Sequence, residues 1–410
     1  MSKVTPAASI SPPEPALTAE TVIARAAALR PLLRERQAET EANGNISLDT
    51  NRRLIDAGFY RMVQPRAFGG YDFTPKDFFR AMMEISRGCS ETAWVLALTA
   101  GHPLIAAYFS EEAQREAYSN NGEFRSPTAF NPPGTAIPVE GGYRVTGKWV
   151  SASGIDHATH FMTIATVKPA AEDNKTYPPS VLLMMTKQEI GIIDDWRVMG
   201  MQGTGSKSVT VTDLFVPTHR AAATKGHGLL TQVVLPGPRI HPNPMYYGRI
   251  GAFLIGEGAA VAVGAARGAL DLFGEILRTK KQTQNPSLEL YTDAEFLNYY
   301  GKALAKVVTA ESALLQAAEE YLGYCREEAE GGAPFDVTRE YRLSLVELSC
   351  IDMAWDAIEI IFKEAGTSAS VKAAQPVGRY FRNIAAIRTH PIMQIDRVAM
   401  KAAKAEFGVS

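Results

Sequence analysis

The sequence predicts a mainly α chain with a β domain at its centre: an N-terminal helical domain, a middle β-barrel or sandwich, and a C-terminal four-helix bundle. Three observations carry this. Helical periodicity dominates from Leu17 to about Asn121, short alternating segments fill the stretch from about Glu123 to Arg220, and long helical patterning returns from about Asn243. The boundaries this gives are a flexible Pro-rich tail at 1–15 and domains at 16–122, 123–226 and 227–410. A chain of 410 residues also exceeds the size at which one hydrophobic core keeps growing.

In the first domain, A-E-T-V-I-A-R-A-A-A-L-R-P-L-L-R-E-R and L-D-T-N-R-R-L-I-D-A-G-F-Y space their apolar residues as helices do. Asp49 or Thr50 is the expected N-cap of the second helix, and Gly58 its stop. The run T-A-W-V-L-A-L-T-A-G-H-P-L-I-A-A-Y-F is apolar almost all round and should be buried on most sides. In the second domain, G-Y-R-V-T-G-K-W-V-S, T-H-F-M-T-I-A-T-V, S-V-L-L-M-M-T and K-S-V-T-V-T-D-L-F-V-P are each bounded by turn residues, which predicts antiparallel strands. In the third, R-I-G-A-F-L-I-G-E-G-A-A-V-A-V-G-A-A-R-G-A-L-D-L-F and its successors are long enough for bundle helices, and their glycines and alanines permit close approach.

Composition narrows the function. Hydrophobic residues at 46% and charged residues at 21% are ordinary globular usage, and a net charge of −2 supplies no basic face for nucleic acid. No apolar run of bilayer-spanning length is evident and no signal segment opens the chain, so no membrane partner is expected. Cys89, Cys325 and Cys350 form no C-x-x-C pair and read as packing residues of a cytoplasmic protein.

G-T-G-S-K-S, Gly203 to Ser208, is a turn between strands: no buried strand precedes it and no helix follows. Asp156, His157 and His160 are ligand-type residues, but strand alternation sends the two histidines to opposite faces, so no metal site is expected. No G-x-S-x-G elbow supports a serine hydrolase. His102, before Pro103, reads most simply as a hydrogen-bonded core residue. Trp149, Ser151 and Ser153 share one strand face at period two, either as a half-buried strand or as an aromatic wall with two hydroxyls aimed at a planar ligand.

The order of blocks, with L-I-D-A-G-F-Y-R-M-V-Q-P-R-A-F-G-G, E-G-G-Y-R-V-T-G-K-W-V-S, G-M-Q-G-T-G-S-K-S-V-T-V-T-D-L-F-V-P and R-Y-F-R-N…Q-I-D-R, resembles the acyl-CoA dehydrogenase superfamily over nearly the whole chain. Many of its dehydrogenases carry a glutamate base before Q-I-Q-R, where this chain has His390. Ile392 replaces their flavin-contacting threonine, and R-x-x-F-G is absent after Arg278. The first bundle helix, where other members place the base, offers Leu254 and, one turn on, Glu257.

R-G-C-S-E-T-A-W-V-L-A-L-T-A-G-H and W-V-S-A-S-G-I-D-H resemble instead the flavin-dependent monooxygenases built on this fold. That resemblance implies the oxygenase subunit of a two-component system. It would take reduced FMN or FAD from a separate flavin reductase, react with O2 through a C4a-hydroperoxide, and oxygenate a small aromatic or heteroaromatic substrate. It implies His390, His102 and Ser153 as catalytic residues and Trp149, Ser151, Ser153, Asn131 and Gln394 as flavin contacts, in a homotetramer. The dehydrogenase alignment favours Ser151 at the flavin edge and the monooxygenase alignment Ser153. Imidazole, with an unperturbed pKa of about 6.5, suits proton exchange near neutrality. A flavin-dependent acyl-CoA dehydrogenase or oxidase, and a non-catalytic binding paralogue, are the alternative readings.

Overall fold

The computed structural model describes residues 10–170, 175–224, 240–283, 285–371 and 375–409. Positions 1–9 of the expected tail and the boundary drawn at 226 and 227 lie outside these. Ile10 is already fixed, its N–H bonded to the Ala67 carbonyl at 3.2 Å.

The N-terminal helices are α1 (Ala19–Glu35), α2 (Gln37–Asn43), α3 (Leu48–Asp56), α4 (Pro75–Gly88), α5 (Ser90–Ala100), α6 (Pro103–Ala106) and α7 (Glu111–Ala117). Their starts follow capping chemistry. Thr18 accepts from the Thr21 N–H, and Thr74 forms a reciprocal box with Asp77. The cap of α3 is Ser47 rather than Asp49 or Thr50, because the Ser47 hydroxyl accepts the Thr50 N–H at 3.1 Å. Gly58, at φ 86°, turns the chain out of α3 in the left-handed region. Every residue of α5 except Leu98 is buried, as an all-apolar helix requires.

The middle domain is one seven-stranded sheet: β1 (Thr128–Val139), β2 (Gly142–Ala152), β3 (His160–Val167), β4 (Ser180–Thr186), β5 (Gly191–Ile193), β6 (Lys207–Pro217) and β7 (Ala221–Thr224), in the order β5-β6-β2-β1-β3-β4-β7. The expectation of wholly antiparallel pairing fails at one place, because β1 and β3 run parallel. The sheet curls around a core drawn from its own strands, with Trp149, Phe161, Leu183 and Val209 at its heart.

The last domain comprises α8 (Ile250–Thr279), α9 (Ala294–Ala329), α10 (Val337–Glu364), α11 (Thr367–Ser370), α12 (Pro376–Thr389) and α13 (Ile395–Glu406), with α8, α9, α10 and α12 packed as the bundle. By length and composition alone α8 could cross a membrane, which the sequence reading did not flag; nearly all of its apolar stretch is buried inside the protein. It lies against α4 so closely that a Cβ at Gly264 would strike the Met83 carbonyl, and Ser86 donates across the same contact to the Val261 carbonyl at 2.6 Å.

That contact has no room for a side chain. Gly264→Val should cost about 1–3 kcal/mol of stability by forcing α4 and α8 apart. Denaturant unfolding of the variant beside the wild type measures it.

Candidate active site

A cavity of about 570 Å³ opens where α5, α8, the end of α12, the start of β1 and the end of β2 converge. Its walls are mostly apolar, with Trp94 and Leu98 from α5, Phe130 from β1, Leu254 from α8, and Trp196 and Met199 from the segment before β6. The polar groups facing it come from six separate stretches of chain: His102, Asn131, Ser151 and Ser153, Thr204 and Ser206, Glu257, and His390.

His102 is fixed by the turn into α6 and is 1% exposed. Its Nδ1 donates to the Ser126 carbonyl at 2.8 Å, which leaves Nε2 directed at Glu257 Oε1 at 3.3 Å. A carbonyl cannot donate, so Nδ1 carries hydrogen and the Nε2–Oε1 contact holds a single shared proton. Burial pushes the Glu257 carboxyl above the usual carboxylate range, partly opposed by His102. The pair therefore bears no net charge. Glu257 Oε2 has no hydrogen-bond partner among the described residues.

His390 ends α12. Pro391 disfavours helical dihedrals in the residue before it, and His390 adopts φ −63° and ψ 133°. Its ring stands edge-on to Trp94 with centroids 5.8 Å apart, and its buried Nδ1 has no partner among the described residues. Desolvation by the cavity walls pushes its pKa down to about 4, so it is a neutral imidazole at pH 7 rather than one poised at neutrality.

On the sheet side, the Trp94 Nε1–H reaches Ser153 Oγ at 3.0 Å, Ser153 Oγ lies 2.7 Å from Ser206 Oγ, and Ser206 Oγ lies 2.6 Å from Thr204 Oγ1. Thr204 donates to the Met201 carbonyl at 2.8 Å. Thr204 and Ser206 belong to G-T-G-S-K-S, which runs from the 3-10 turn at Gln202–Thr204 into β6.

The structure thus brings His102, His390, Ser151, Ser153 and Asn131 to one cavity. Two expected flavin contacts are not part of it. Trp149 turns into the sheet's own core, its indole N–H bonded to the Ile164 carbonyl at 3.1 Å. The period-two expectation breaks because the strand bulges between Trp149 and Ala152, with Ser151 at φ 64°. Gln394 caps α13, and its amide turns back to the Thr389 carbonyl at 3.3 Å, away from the cavity lining. Asp156, His157 and His160 do not converge either. Asp156 pairs with Lys207 at 2.9 Å, and His157 sits in a 3-10 turn donating to the Ile46 carbonyl at 3.0 Å.

Trp94, Thr204 and Ser206 were missed by the sequence reading, and Glu257 was noted only as a base for the dehydrogenase alternative. Glu257 left a signal, being a lone carboxylate in the most apolar stretch of α8. Thr204 and Ser206 left none, since a turn hydroxyl looks the same whether it faces solvent or a cavity.

Comparison with known proteins gives the chain its relatives. The model of the acyl-CoA dehydrogenase N-terminal domain matches residues 22–121, and that of the C-terminal domain residues 258–395. The chain is 30% identical over 392 residues to the flavin-dependent monooxygenase oxygenase subunit HsaA of Rhodococcus jostii, covering 93% of this chain and 97% of that one. It is 28% identical to the oxygenase component of the FADH(2)-dependent resorcinol hydroxylase of a Rhizobium species, covering 97% of each. The crystal structure of 3-HSA hydroxylase from Rhodococcus sp. RHA1 superposes with a TM-score of 0.85 at 28% identity, over 95% of this chain and 97% of that one.

The depressed pKa of His390 sets a pH expectation. Between about pH 6.5 and pH 4 the unfolded chain binds a proton at this ring that the folded chain does not, so His390 withdraws stability as pH falls through that window. NMR titration of the histidine ring protons should show His390 neutral down to about pH 5, and a midpoint near 6.5 would refute the desolvated geometry.

Proposed function

The chain belongs to the acyl-CoA dehydrogenase family as one of its flavin-dependent monooxygenases, and from that premise we propose that it hydroxylates a small aromatic or heteroaromatic substrate with O2 and reduced FMN or FAD supplied by a separate reductase. The single observation that carries the reading is the convergence of Ser153, the His102–Glu257 pair and a neutral, unpartnered His390 on one apolar cavity.

The residues present fit a reduced flavin beside a substrate. A cavity of about 570 Å³ lies in the range of small-molecule sites, its flat apolar walls suit aromatic rings, and two buried polar atoms, Glu257 Oε2 and His390 Nδ1, await partners. Ser153, Ser151 and Asn131 on the sheet side would hold the flavin, and His390 and His102 would face the substrate. Bound reduced flavin would supply two electrons to O2, one oxygen atom entering the substrate as a hydroxyl and the other leaving as water.

The protein's part is proton placement and exclusion of water. His390, neutral at pH 7, would accept a hydrogen bond from a substrate hydroxyl through its unprotonated ring nitrogen and so raise electron density on the ring to be hydroxylated. The His102–Glu257 pair presents an uncharged wall with one movable proton, which avoids the cost of an isolated buried charge. Trp94, Leu98, Trp196 and Met199 limit water around the reacting groups.

An acyl-CoA dehydrogenase needs an ionised carboxylate base. Glu257 is a poor candidate, pushed toward its protonated form and engaged by His102. Exposed Leu297 and Val308, eleven residues apart on one stripe of α9, support self-association, for which we propose a homotetramer. The buried cysteines Cys89, Cys325 and Cys350, none of them in a disulfide, are consistent with a reducing, cytoplasmic setting.

His390→Ala should lower product formation by about 10²–10⁴-fold while reduced-flavin binding and O2 consumption persist. The ratio of hydroxylated product to O2 consumed, measured with a panel of phenols, is the readout. A variant as fast and as tightly coupled as the wild type would remove His390 from the chemistry.

A further inference from the structure

The hydroxyl groups on the sheet side of the cavity form a chain whose two ends each work in one direction only. The Trp94 indole N–H can only donate, and it gives its hydrogen to Ser153 Oγ at 3.0 Å. The Met201 carbonyl can only accept, and it takes the Thr204 hydroxyl at 2.8 Å. With that proton committed, the 2.6 Å contact between Thr204 and Ser206 must be donated by Ser206. The 2.7 Å contact between Ser206 and Ser153 must then be donated by Ser153. Ser153 faces the cavity with its one proton spent and one lone pair free.

The chain can be reversed only at a loss. For Ser153 to point its proton into the cavity, Ser206 must donate to Ser153 and Thr204 to Ser206. Thr204 Oγ1 then abandons the Met201 carbonyl, which keeps the Trp196 indole at 3.0 Å and the Thr204 backbone N–H at 3.3 Å. Reversal forfeits one buried hydrogen bond. All four side chains are at most 6% exposed, so water does not readily replace it.

We propose that this chain of hydroxyls makes the site selective for the redox state of flavin, with Thr204 and Ser206 as positioning residues that act through Ser153. The inference rests on the flavin monooxygenase reading. Reduced isoalloxazine carries hydrogen on N5 and can donate to the free lone pair of Ser153 with the whole chain intact. Oxidised isoalloxazine has a lone pair there, and meets Ser153 either lone pair to lone pair or after reversal and its lost bond. N3–H donates and O4 accepts in both redox states, so contact with either atom would give no such preference. The preference is one neutral hydrogen bond, about fivefold in relative affinity.

The test is anaerobic titration of the full chain with reduced and with oxidised FMN, and the same with FAD, followed by tryptophan fluorescence. Wild type, Thr204→Val, Ser206→Ala and Thr204→Ser are compared by the ratio of the two Kd values. The wild type should favour reduced flavin, Thr204→Val and Ser206→Ala should each cut that preference about fivefold, and Thr204→Ser should keep it. Saturable binding of reduced flavin with the ratio unmoved in both variants overturns the inference and leaves the monooxygenase reading standing. A wild-type preference for oxidised flavin also overturns it. No saturable binding of either redox form by the wild type overturns the inference and the reading together.

Discussion

The placement of one turn, Gly200 to Ser206, governs the geometry of everything around the cavity. Its backbone fits only because side chains are missing. A Cβ at Gly200 would strike the Arg382 carbonyl, and one at Gly203 would lie 2.5 Å from Thr40 Cγ2. Two buried carbonyl-type oxygens then hold it from opposite sides, Asn383 accepting the Met201 N–H at 2.7 Å and Glu91 accepting the Gly203 N–H at 2.8 Å. An amide buried there without a partner would cost about 1–3 kcal/mol, so these bonds fix the sheet to α5 and α12 at once. Burial raises the Glu91 pKa to about 7, a cost accepted at the place where the domains are joined.

From that fixed point the cavity acquires two kinds of polar wall. The sheet side holds three linked hydroxyls, Ser153, Ser206 and Thr204, with every proton assigned, and the helical side holds two imidazoles treated oppositely. His102 has both ring nitrogens occupied, by Ser126 and Glu257, whereas His390 has a buried nitrogen with no partner among the described residues. The division matches a site in which one partner is gripped by a saturated network and the other meets an open acceptor.

Much of this was legible in the sequence because it depends on short-range pattern. The apolar run of α5, the stop at Gly58 and the strand segments all follow from periodicity and turn chemistry, and the histidines at 102 and 390 stood out against apolar surroundings. What escaped depends on a local break or on distance. Trp149 was misplaced because one residue at positive φ cancels the alternation that would have aimed it at the cavity. The pairing of His102 with Glu257 spans 155 positions, and no spacing rule reaches that far. Thr204 and Ser206 gained their role only when the turn was set against Trp94.

Asn383, which holds the Met201 amide, also donates to Ser90 Oγ at 2.9 Å across 293 positions of sequence. That span has a consequence for how the protein is made. Ser90 leaves the ribosome long before α12 exists, and the turn cannot be locked until α12 arrives, so the site cannot be completed before α12. A nascent chain interrupted before α12 could already have closed its sheet and its first helices, yet it would contain no finished pocket in which flavin and oxygen could meet. The topology thereby delays reactive chemistry until α12 has been made.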